Sequence, residues 1–524
     1  MKLLYVGALA LVFHLGLVNG QLPPGLAGEV GIIFTAITAL DVEIAKYETP
    51  LAIRFTNYFG TAFWNCVAVY SNDLLAADTN ARPDVPSLDP ATFASGPRAV
   101  CGAQSAVTYS KFSLPSAVQG TVDALATINV TVAADLHPGI AACDTSSSSA
   151  LTSCLRNVAA NEGYNPIIMG QIVGFSIYLA SLDDGWNQLG TLKPRGKICK
   201  QSCRNYTDFT GFAPVNSPFN SSPFRGSSSD RWQPLLEDDG RGFFYYQEHV
   251  TPHIGKTAKF HYFPESLRDT TVAPPPSYTR GRRPEMRRVL QRMASLDDVK
   301  KMQIEAFDDK LLVANQVFFA FVLKLLGSGY VDTELGQPGS IVSLERFLHY
   351  IVGYVSTEYD AVVIAWKEKV RYDLIRPTST IKRWLGGRKK ITTWAPSAGT
   401  QTFHSSDFEA YIRVMPHSEY VSGSSCLFAG VEDYVKGYLS RISVDSTSFV
   451  VQFPYTAGSS KVEPGITPAA DLVLEFPTIE EMAAVGGQSR LDGGMHFDDS
   501  VPAGKQLCTG IASFTLDGIF DLLP

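Results

Sequence analysis

Three short segments in the last third of this 524-residue sequence carry side chains that can hold a tetrahedral anion: residues 369–377, 420–424 and 489–496. Their candidate ligands for such an anion are three cations, two hydroxyl groups, a glycine amide and one histidine. Proteins bind phosphate-like oxyanions through charge-assisted hydrogen bonds from such donors. We therefore predict an oxyanion site whose candidate residues are Lys369, Arg376, Ser422, Gly423, Ser424, Arg490 and His496.

The first segment places two of the cations on one predicted helix. Lys369 and Arg376 are seven residues apart, which is two helical turns, so they share a face. Pro377 disfavours helical backbone at the preceding residue, so we expect the helix to end at Arg376, facing the mouth of a cavity. Taken alone, this spacing also suits an amphipathic helix with a solvated basic face.

The second segment has the composition of a helix N-terminus. Ser422, Gly423 and Ser424 precede a helix that we expect to start near Ser425, because apolar residues then recur at helical intervals. Backbone amides and hydroxyl groups converge at such a terminus, and the helix dipole favours negative charge there. For this segment alone, a plain N-cap is the simpler interpretation.

The third segment combines a cation with the histidine. Arg490 and His496 flank Gly493 and Gly494, which favour a tight turn that brings both side chains to one point. Arg490 can hold two oxygens of an anion in a bidentate fork. His496, as a neutral imidazole, can bond to the central atom of the anion. A lone histidine is usually a core or surface residue, so the hypothesis rests on the three segments occurring together in this order.

The order and spacing of the segments resemble the signature of the vanadium-dependent haloperoxidases and of their relatives, the membrane-type (PAP2) acid phosphatases. In words, that signature is Lys-six-Arg-Pro, then Pro-Ser-Gly-His, then Ser-Arg-five-His. The resemblance covers roughly residues 230–515. It implies an all-α fold of two helix bundles, with the oxyanion site at one end of the C-terminal bundle. The sequence departs from the signature at the distal histidine of the family, which is Ser424 here.

The resemblance also implies a cofactor and a reaction. Vanadate would be bonded through its vanadium to His496, and phosphate could occupy the same site. Hydrogen peroxide would bind to vanadate, Lys369 would polarise it, and a halide would attack it to give hypohalous acid. The oxygens of vanadate would be held by Lys369, Arg376, Ser422, Gly423 and Arg490.

Two other functions remain open. The same residues would serve an acid phosphatase acting on a small phosphate ester, with His496 as the nucleophile, or the chain could be a secreted oxyanion-binding glycoprotein with a decayed site. An acid that orients His496 would favour the phosphatase, and Asp498 and Asp499 are candidates. An apolar wall would favour the peroxidase, and Trp384 and Phe403 are candidates.

Ser424 decides how much of the family chemistry applies. The distal histidine of the family acts as an acid or base, whereas serine donates a hydrogen bond but does not titrate near neutral pH. Three outcomes are open: Ser424 serves as a hydrogen-bond donor only, His417 or His404 takes over the proton transfer, or the protein binds the anion and turns over poorly.

The rest of the sequence predicts an all-α protein, because long apolar stretches with helical spacing dominate and strand-like alternation is scarce. Segment 271–288 combines three consecutive prolines with five arginines, and it marks a crossover between two helical halves. We predict an N-terminal helical domain with long loops over residues 21–290 and a C-terminal bundle with the active site over 291–524. In the second half, Ser295 is predicted to cap the first helix, and 341–375 shows two helical patterns.

The N-terminus resembles a secretory signal over residues 1–20, with Lys2 before an apolar stretch and a small residue before Gln21. A membrane anchor is the alternative, although the apolar run is short for a span. The later apolar run 317–326 is too short to cross a membrane and is typical of a buried core helix. We therefore predict a secreted protein without a membrane span.

Cysteine content agrees with secretion. Eight cysteines allow up to four disulfides in an oxidising compartment, and the pairs Cys143–Cys154 and Cys199–Cys203 are close enough to form locally. A net charge of −7 argues against nucleic acid as a partner. Three triplets have the form of glycosylation acceptors and begin at Asn129, Asn205 and Asn220.

Overall fold

The computed structural model describes residues 24–44, 46–70, 95–218, 230–238, 241–275, 278–332, 335 and 343–523. The predicted signal segment 1–20 and the triplet at Asn220 lie outside these residues. The described part is mostly helical, which confirms the predicted all-α class. Its α-helices are α1 Pro24–Ile44, α2 Thr49–Val69, α3 Ser95–Ser113, α4 Val118–Ala126, α5 Pro138–Ala141, α6 Ser148–Asn161, α7 Pro166–Ser181, α8 Ile254–Thr257, α9 Tyr278–Ala294, α10 Asp298–Asp308, α11 Lys310–Ser328, α12 Leu344–Tyr372, α13 Pro377–Arg383, α14 Gly423–Arg441, α15 Ile479–Asp492, α16 Ser500–Cys508 and α17 Ala512–Phe520.

The strands of the described residues are short, and each pairs only with its neighbour in sequence, forming antiparallel two-stranded ladders. Such hairpins are marginally stable alone, so they depend on the helices around them. They are β1 Leu192–Lys193, β2 Lys197–Ile198, β3 Leu236–Asp238, β4 Phe244–Tyr246, β5 Lys390–Ala395, β6 Gly399–His404, β7 Val451–Tyr455 and β8 Leu472–Phe476.

Helix α12 forms the centre of the fold. Ser343 caps it by accepting a hydrogen bond from the amide of Arg346 at 3.0 Å. Nearly all of its residues are buried, because α2, α8, α14 and α17 pack around it. The sequence predicted two helices over 341–375, but the structure has one continuous helix of 29 residues.

The largest apolar core joins the two halves of the chain. It combines Phe59 of α2 and Val107 of α3 with Tyr350 of α12 and Val431 of α14. Burial of these side chains is the main favourable term in the stability of the fold. The division into domains at residues 21–290 and 291–524 stays a prediction.

Helix α10 begins at Asp298 and is capped by Asp297, whose side chain accepts a hydrogen bond from the amide of Lys300 at 2.8 Å. The prediction that Ser295 is the cap was therefore wrong. Ser295 lies just after the end of α9, and its hydroxyl donates to the carbonyl oxygen of Arg292 at 2.9 Å. Asp297 competes better for the N-cap position because its carboxylate also interacts favourably with the helix dipole.

Among the described helices, α11 is long and apolar enough to cross a membrane, with a mean hydropathy of 1.8. In the structure, 61% of that stretch is buried inside the fold, and Phe318 and Phe321 belong to the main core. This helix is therefore packed as a core helix, as predicted for 317–326.

All eight cysteines form disulfides, and the two locally predicted pairs are confirmed. The Cys426–Cys508 bond ties the first turn of α14 to the end of α16. It thereby fixes the helix start on which Ser422, Gly423 and Ser424 lie. The pairs are Cys66–Cys101, Cys143–Cys154, Cys199–Cys203 and Cys426–Cys508.

Candidate functional site

Arg376 lies between two helices. Helix α12 ends at Tyr372, where Asp373 adopts a left-handed conformation with φ of 49°, and Pro377 begins α13, a position that suits proline. The expectation that the first helix runs to Arg376 was therefore wrong by about one turn. The connection is held in place because the amide of Trp232 donates to the carbonyl oxygen of Asp373 at 2.8 Å.

Lys369 is fully buried in the last turn of α12. Its ammonium group donates to the carbonyl oxygens of Ser418, Glu419 and Val421 at 3.1, 3.2 and 2.5 Å. Burial lowers the pKa of Lys369 well below its ordinary value, and the charge of Arg376 lowers it further, while Glu419 opposes this shift. These hydrogen bonds from Lys369 stabilise the backbone segment that leads into α14.

The residues at the start of α14 have different surroundings. Ser422 is the N-cap, because its hydroxyl accepts from the amide of Ser425 at 3.3 Å and from the Ser425 hydroxyl at 3.0 Å. Gly423 is the first helical residue, two positions earlier than predicted, and it lines a small cavity together with Ser424. The capping interpretation thus holds for Ser422, and the cavity interpretation fits Gly423 and Ser424.

Arg490 lies in the last turn of α15 and is buried. Its Nη2 atom donates to Asp308 Oδ1 at 3.1 Å. Its Nη1 atom is buried and has no hydrogen-bond partner among the residues that the structure describes. Because an unpaired buried donor is costly, an anion beside Nη1 would supply the missing acceptor.

The turn after α15 returns the chain so that His496 stands beside Arg376. Gly494 has a φ of 74°, in the left-handed region, and a Cβ atom there would lie 2.5 Å from the Sδ atom of Met293. This position therefore requires glycine. The Nε2 atom of His496 is 3.3 Å from Nη1 of Arg376.

Glu419, which the sequence analysis missed, orients His496. This glutamate is fully buried. Its Oε1 atom accepts from His496 Nδ1 at 2.9 Å, from the amide of Phe497 at 3.0 Å and from the hydroxyl of Ser500 at 2.5 Å. Three donors on one carboxylate oxygen hold the imidazole ring in a single orientation.

The charge state of His496 follows from these contacts. Because Nδ1 donates to Glu419, Nε2 keeps its lone pair and can accept from Arg376. Burial lowers the pKa of His496 well below its ordinary value, and the charges of Arg376, Lys369 and Arg490 lower it further. His496 is therefore a neutral imidazole with an unprotonated Nε2.

The two acids considered for this orienting role lie elsewhere. Asp498 accepts from Arg288 and Arg292 of α9, and Asp499 is the residue before α16. An acid does orient the imidazole, but it is Glu419. Its position next to segment 420–424 is the one sequence signal that could have suggested it, because sequence alone does not reveal that a glutamate is buried.

Five of the seven predicted site residues line one cavity, and the other two, Lys369 and Ser422, are not among its lining residues. The cavity volume is about 20 Å³, roughly the room of one water molecule. The catalytic and binding roles of these residues stay predictions. The lining combines Arg376, Gly423, Ser424, Arg490 and His496 with Thr49, Asp308, Lys310, Trp366, Met415, His417 and Leu427.

Of the two alternative proton-transferring histidines, His417 reaches the cavity. Arg376 Nη2 donates to its Nδ1 atom at 2.9 Å, and its ring centroid is 4.7 Å from that of Trp366. Burial lowers the pKa of His417 well below its ordinary value, and Lys369 and Arg376 act in the same direction. His417 is therefore neutral and positions Arg376, whereas His404 lies exposed at the end of β6, outside the cavity lining.

One side of the cavity is apolar, formed by Trp366 and Leu427. Phe403 packs elsewhere, in the cluster around Trp394. The side chain of Trp384 lies outside the described part of the structure. An apolar wall is thus present, and it comes from α12 and α14 instead of Phe403.

A larger cleft opens beside the cavity. Its volume is about 1050 Å³, and it shares Thr49, Asp308, Lys310 and Met415 with the cavity. Apolar side chains such as Trp394 line it together with charged ones such as Arg413. A cleft of this size can accept a drug-sized organic molecule.

Comparison with known proteins agrees with this architecture. Residues 349–523 match the family model of the VCPO second helical-bundle domain. The holo structure of a bacterial vanadium-dependent chloroperoxidase matches with a TM-score of 0.72 and 22% identity, over 91% of this chain and 92% of that one. Its apo structure gives 0.71 and 22%, over 90% and 93%. A bacterial vanadium-dependent iodoperoxidase gives 0.54 and 14%, over 94% and 96%. No curated protein sequence matches.

These likenesses confirm the resemblance to the vanadium haloperoxidase family. The described chain has the helical fold of the vanadium haloperoxidases. Segment 349–523, which contains every predicted site residue, matches the family of the second helical-bundle domain. At 22% identity the structural likeness defines the fold, so the activity has to be argued from the site.

Proposed function

We propose that this protein is a secreted vanadium-dependent haloperoxidase-like enzyme that oxidises halide with hydrogen peroxide. The observation that carries the proposal is the presence, in one cavity, of an unprotonated His496 Nε2 and an unpaired Arg490 Nη1. A tetrahedral oxyanion satisfies both groups, because its oxygens accept from the guanidinium while its central atom accepts the imidazole lone pair.

The donor set fits vanadate, the cofactor that this proposal requires. Arg376 and Arg490 would hold the oxygens of vanadate. The amide of Gly423 would add the favourable dipole of a 19-residue helix. His496 would be the only side chain bonded to vanadium. When bound, vanadate supplies a Lewis acid that activates peroxide without a redox change of the metal. The cavity is tight, so binding requires the guanidinium of Arg376 to move away from His496.

The proposed reaction converts hydrogen peroxide, halide and one proton into hypohalous acid and water. Two electrons pass from the halide to the peroxide. The arginines offset the negative charge of the bound anion, and the buried amine of Lys369 holds the carbonyl groups that lead into α14. Trp366 and Leu427 exclude water from one side, which strengthens these interactions.

A phosphatase is the second candidate, and the contact between Glu419 and His496 favours it. A carboxylate that orients an imidazole would keep Nε2 nucleophilic for attack on a small phosphate ester. The apolar wall formed by Trp366 and Leu427 favours the peroxidase. A third candidate, an oxyanion-binding glycoprotein with a decayed site, would keep the binding groups without turnover.

Activity measurements on the phosphate-free protein separate these functions. Chloride and bromide oxidation by hydrogen peroxide should appear on addition of orthovanadate and be lost in His496→Ala. Hydrolysis of p-nitrophenyl phosphate without vanadate, also lost in His496→Ala, would establish the phosphatase instead. Anion binding without either activity would identify a binding protein.

Secretion is part of the proposal. Four disulfides support it, because such bonds persist in oxidising compartments. Expression of the full sequence in a secreting host should deliver the protein to the medium, with a new N-terminus near Gln21. Retention of residues 1–20 on a membrane-bound protein would support the anchor alternative.

A further inference from the structure

Met415 differs from the other methionines of this chain in its exposure. The sequence has eight methionines, and Met1 lies outside the described residues. Met415 is half-buried, whereas the other methionines that the structure describes are at most 5% exposed. The buried ones are Met169, Met286, Met293, Met302, Met482 and Met495. Within the described part of the chain, Met415 is therefore the methionine whose thioether small reagents can reach.

The thioether of Met415 lies beside the arginine that is proposed to hold the anion. Its Sδ atom is 3.9 Å from Nη2 of Arg490. Nη1 of the same guanidinium is the buried donor that has no partner among the described residues. Met415 lines the small cavity together with Arg490 and His496, and it also lines the larger cleft. Hypohalous acid made at an anion in this cavity would therefore form beside this sulfur.

We propose that Met415 is a modification site, which the hypohalous acid made by this enzyme oxidises to methionine sulfoxide. This inference rests on the proposed haloperoxidase function. The sulfur lone pair attacks the halogen and displaces hydroxide, and water then attacks the sulfur and expels halide. The sulfur loses two electrons and the halogen gains them. The net products are methionine sulfoxide, halide and one proton, so hypohalous acid is the only oxidant needed.

The sulfoxide changes the surroundings of Arg490. A thioether is a weak hydrogen-bond acceptor, whereas a sulfoxide is polar and its oxygen accepts strong hydrogen bonds from a guanidinium. An oxygen on the sulfur of Met415 would occupy donors of Arg490 that the anion requires. It would also reduce the room in a cavity of about 20 Å³. Oxidation of Met415 therefore lowers the affinity for the anion, and the enzyme loses activity as it turns over.

Mass spectrometry of the protein after turnover is the direct test. The vanadate-loaded enzyme is supplied with bromide and hydrogen peroxide beside an excess of a carrier protein too large to enter the cleft, which intercepts hypobromous acid in solution. Peptide mapping should show Met415 sulfoxide rising with the amount of bromide oxidised. The six buried methionines serve as internal controls and should stay unmodified. Oxidation of Met415 to the same extent with peroxide alone would overturn the proposal.

Two substitutions test the consequence without turnover. Met415→Gln places an amide oxygen near the position of the sulfoxide oxygen, and Met415→Leu keeps an apolar side chain of similar volume. In calorimetry, Met415→Gln should bind phosphate roughly tenfold more weakly than Met415→Leu, which is about the loss of one charge-assisted hydrogen bond. Equal phosphate affinities in the two variants would overturn the link between oxidation of Met415 and anion binding.

A time course distinguishes this inference from the function on which it rests. Each protein is compared with its own initial rate of bromide oxidation, and Met415→Leu should lose that rate severalfold more slowly than the wild type. Equal losses in the two proteins would overturn inactivation through Met415. Steady bromide oxidation by a wild type with unmodified Met415 would overturn the inference and leave the haloperoxidase function intact. A wild type that retains vanadate but oxidises no halide would overturn both.

Discussion

Arg54, in the N-terminal half, and Arg490, at the candidate site, are both buried, but their donors are used differently. Arg54 donates from Nε to Asp184 at 2.6 Å, from Nη1 to the hydroxyl of Tyr206 at 3.3 Å and from Nη2 to Gln188 at 3.0 Å. Each nitrogen of this guanidinium therefore has an acceptor within the protein. Arg490 has one carboxylate partner and one unpaired nitrogen among the described residues.

Two buried histidines differ in the kind of partner that their ring nitrogens have. His349 has both ring nitrogens occupied, by the hydroxyl of Tyr438 at 2.8 Å and the carbonyl oxygen of Ile519 at 2.8 Å. The Nε2 atom of His496 instead faces the guanidinium of Arg376 at 3.3 Å, beside a cavity. The saturated groups complete the fold, whereas Nη1 of Arg490 has bonding capacity left for a ligand and Nε2 of His496 can exchange its arginine partner for one.

The largest expected effect concerns the saturated arginine. Arg54→Met leaves Asp184 buried without its cation, so the free energy of unfolding should fall by about 3–5 kcal/mol. Urea titration monitored by circular dichroism measures this loss. Arg490→Met is the matched comparison and should cost much less, because the side chain of its partner Asp308 is 40% exposed. Equal losses in the two variants would contradict the distinction between saturated and open arginines.

The saturated histidine predicts a pH dependence of stability. Burial lowers the pKa of His349 from 6.5 to about 3. The unfolded chain therefore takes up a proton below pH 6.5 that the folded protein excludes, and stability falls with falling pH. Between pH 6.5 and pH 5 the wild type should lose about 2 kcal/mol more than His349→Gln, since one pKa unit corresponds to about 1.4 kcal/mol. Parallel urea titrations of the two proteins measure the difference, and identical pH profiles would contradict it.

Removal of the open arginine should affect binding. Arg490→Met removes a charge-assisted hydrogen bond worth about 1.5–3 kcal/mol, so the Kd for phosphate should rise by roughly 10–150-fold. Isothermal titration calorimetry measures this change. Arg441→Met is the control, because Arg441 pairs with Asp517 at the surface, and its Kd should stay at the wild-type value. Unchanged phosphate affinity in Arg490→Met would mean that the unpaired Nη1 atom does not bind the anion.

The contact between Glu419 and His496 predicts a similar loss for vanadate. Glu419→Gln removes the carboxylate that holds Nδ1 protonated, and loss of such an orienting partner typically costs about 10–100-fold in metal affinity. Vanadium retention after dialysis measures the effect. Asp498→Asn removes a carboxylate two residues after His496 that binds Arg288 and Arg292 instead, so it should retain vanadium. Loss of vanadium from Asp498→Asn but not from Glu419→Gln would mean that Asp498, and not Glu419, orients His496.

The helical class was predictable because it depends on local periodicity, but the length of α12 was not. Polar residues interrupt its apolar pattern at Ser356, Thr357 and Glu358, yet all three are buried. Ser356 and Thr357 compensate by donating to Asn57 at 3.1 Å and to the carbonyl oxygen of Gly353 at 2.8 Å. One partner on α2 and one carbonyl group within α12 therefore satisfy these two polar side chains inside a continuous helix.

The cavity residues on the three segments were predictable because residue type and spacing specify them. The residue that orients His496 was not, since Glu419 acquires this role from its burial and from partners on distant elements. Glu419 meets its main partner 77 positions along the chain, and no local pattern encodes such a contact. The capping role of Ser422 was predictable, because its hydrogen bond with Ser425 is local and the sequence favoured a plain N-cap at this position.

The smallest expected effects are those of replacing Ser422 or Ser424 at the start of α14, one of which should change stability and the other anion affinity. Ser424→Ala removes one hydrogen bond to a bound anion and should lower phosphate affinity by about 0.5–1.5 kcal/mol, with the midpoint of thermal unfolding unchanged. Ser422→Ala removes the N-cap and should lower stability by about 0.5–2 kcal/mol, with little effect on affinity, because its hydroxyl is bonded to Ser425. Calorimetric titration and thermal unfolding of both variants give the two quantities. A loss of affinity in Ser422→Ala equal to that in Ser424→Ala would mean that the Ser422 hydroxyl turns from its cap to the anion, as the resemblance to the haloperoxidases implied.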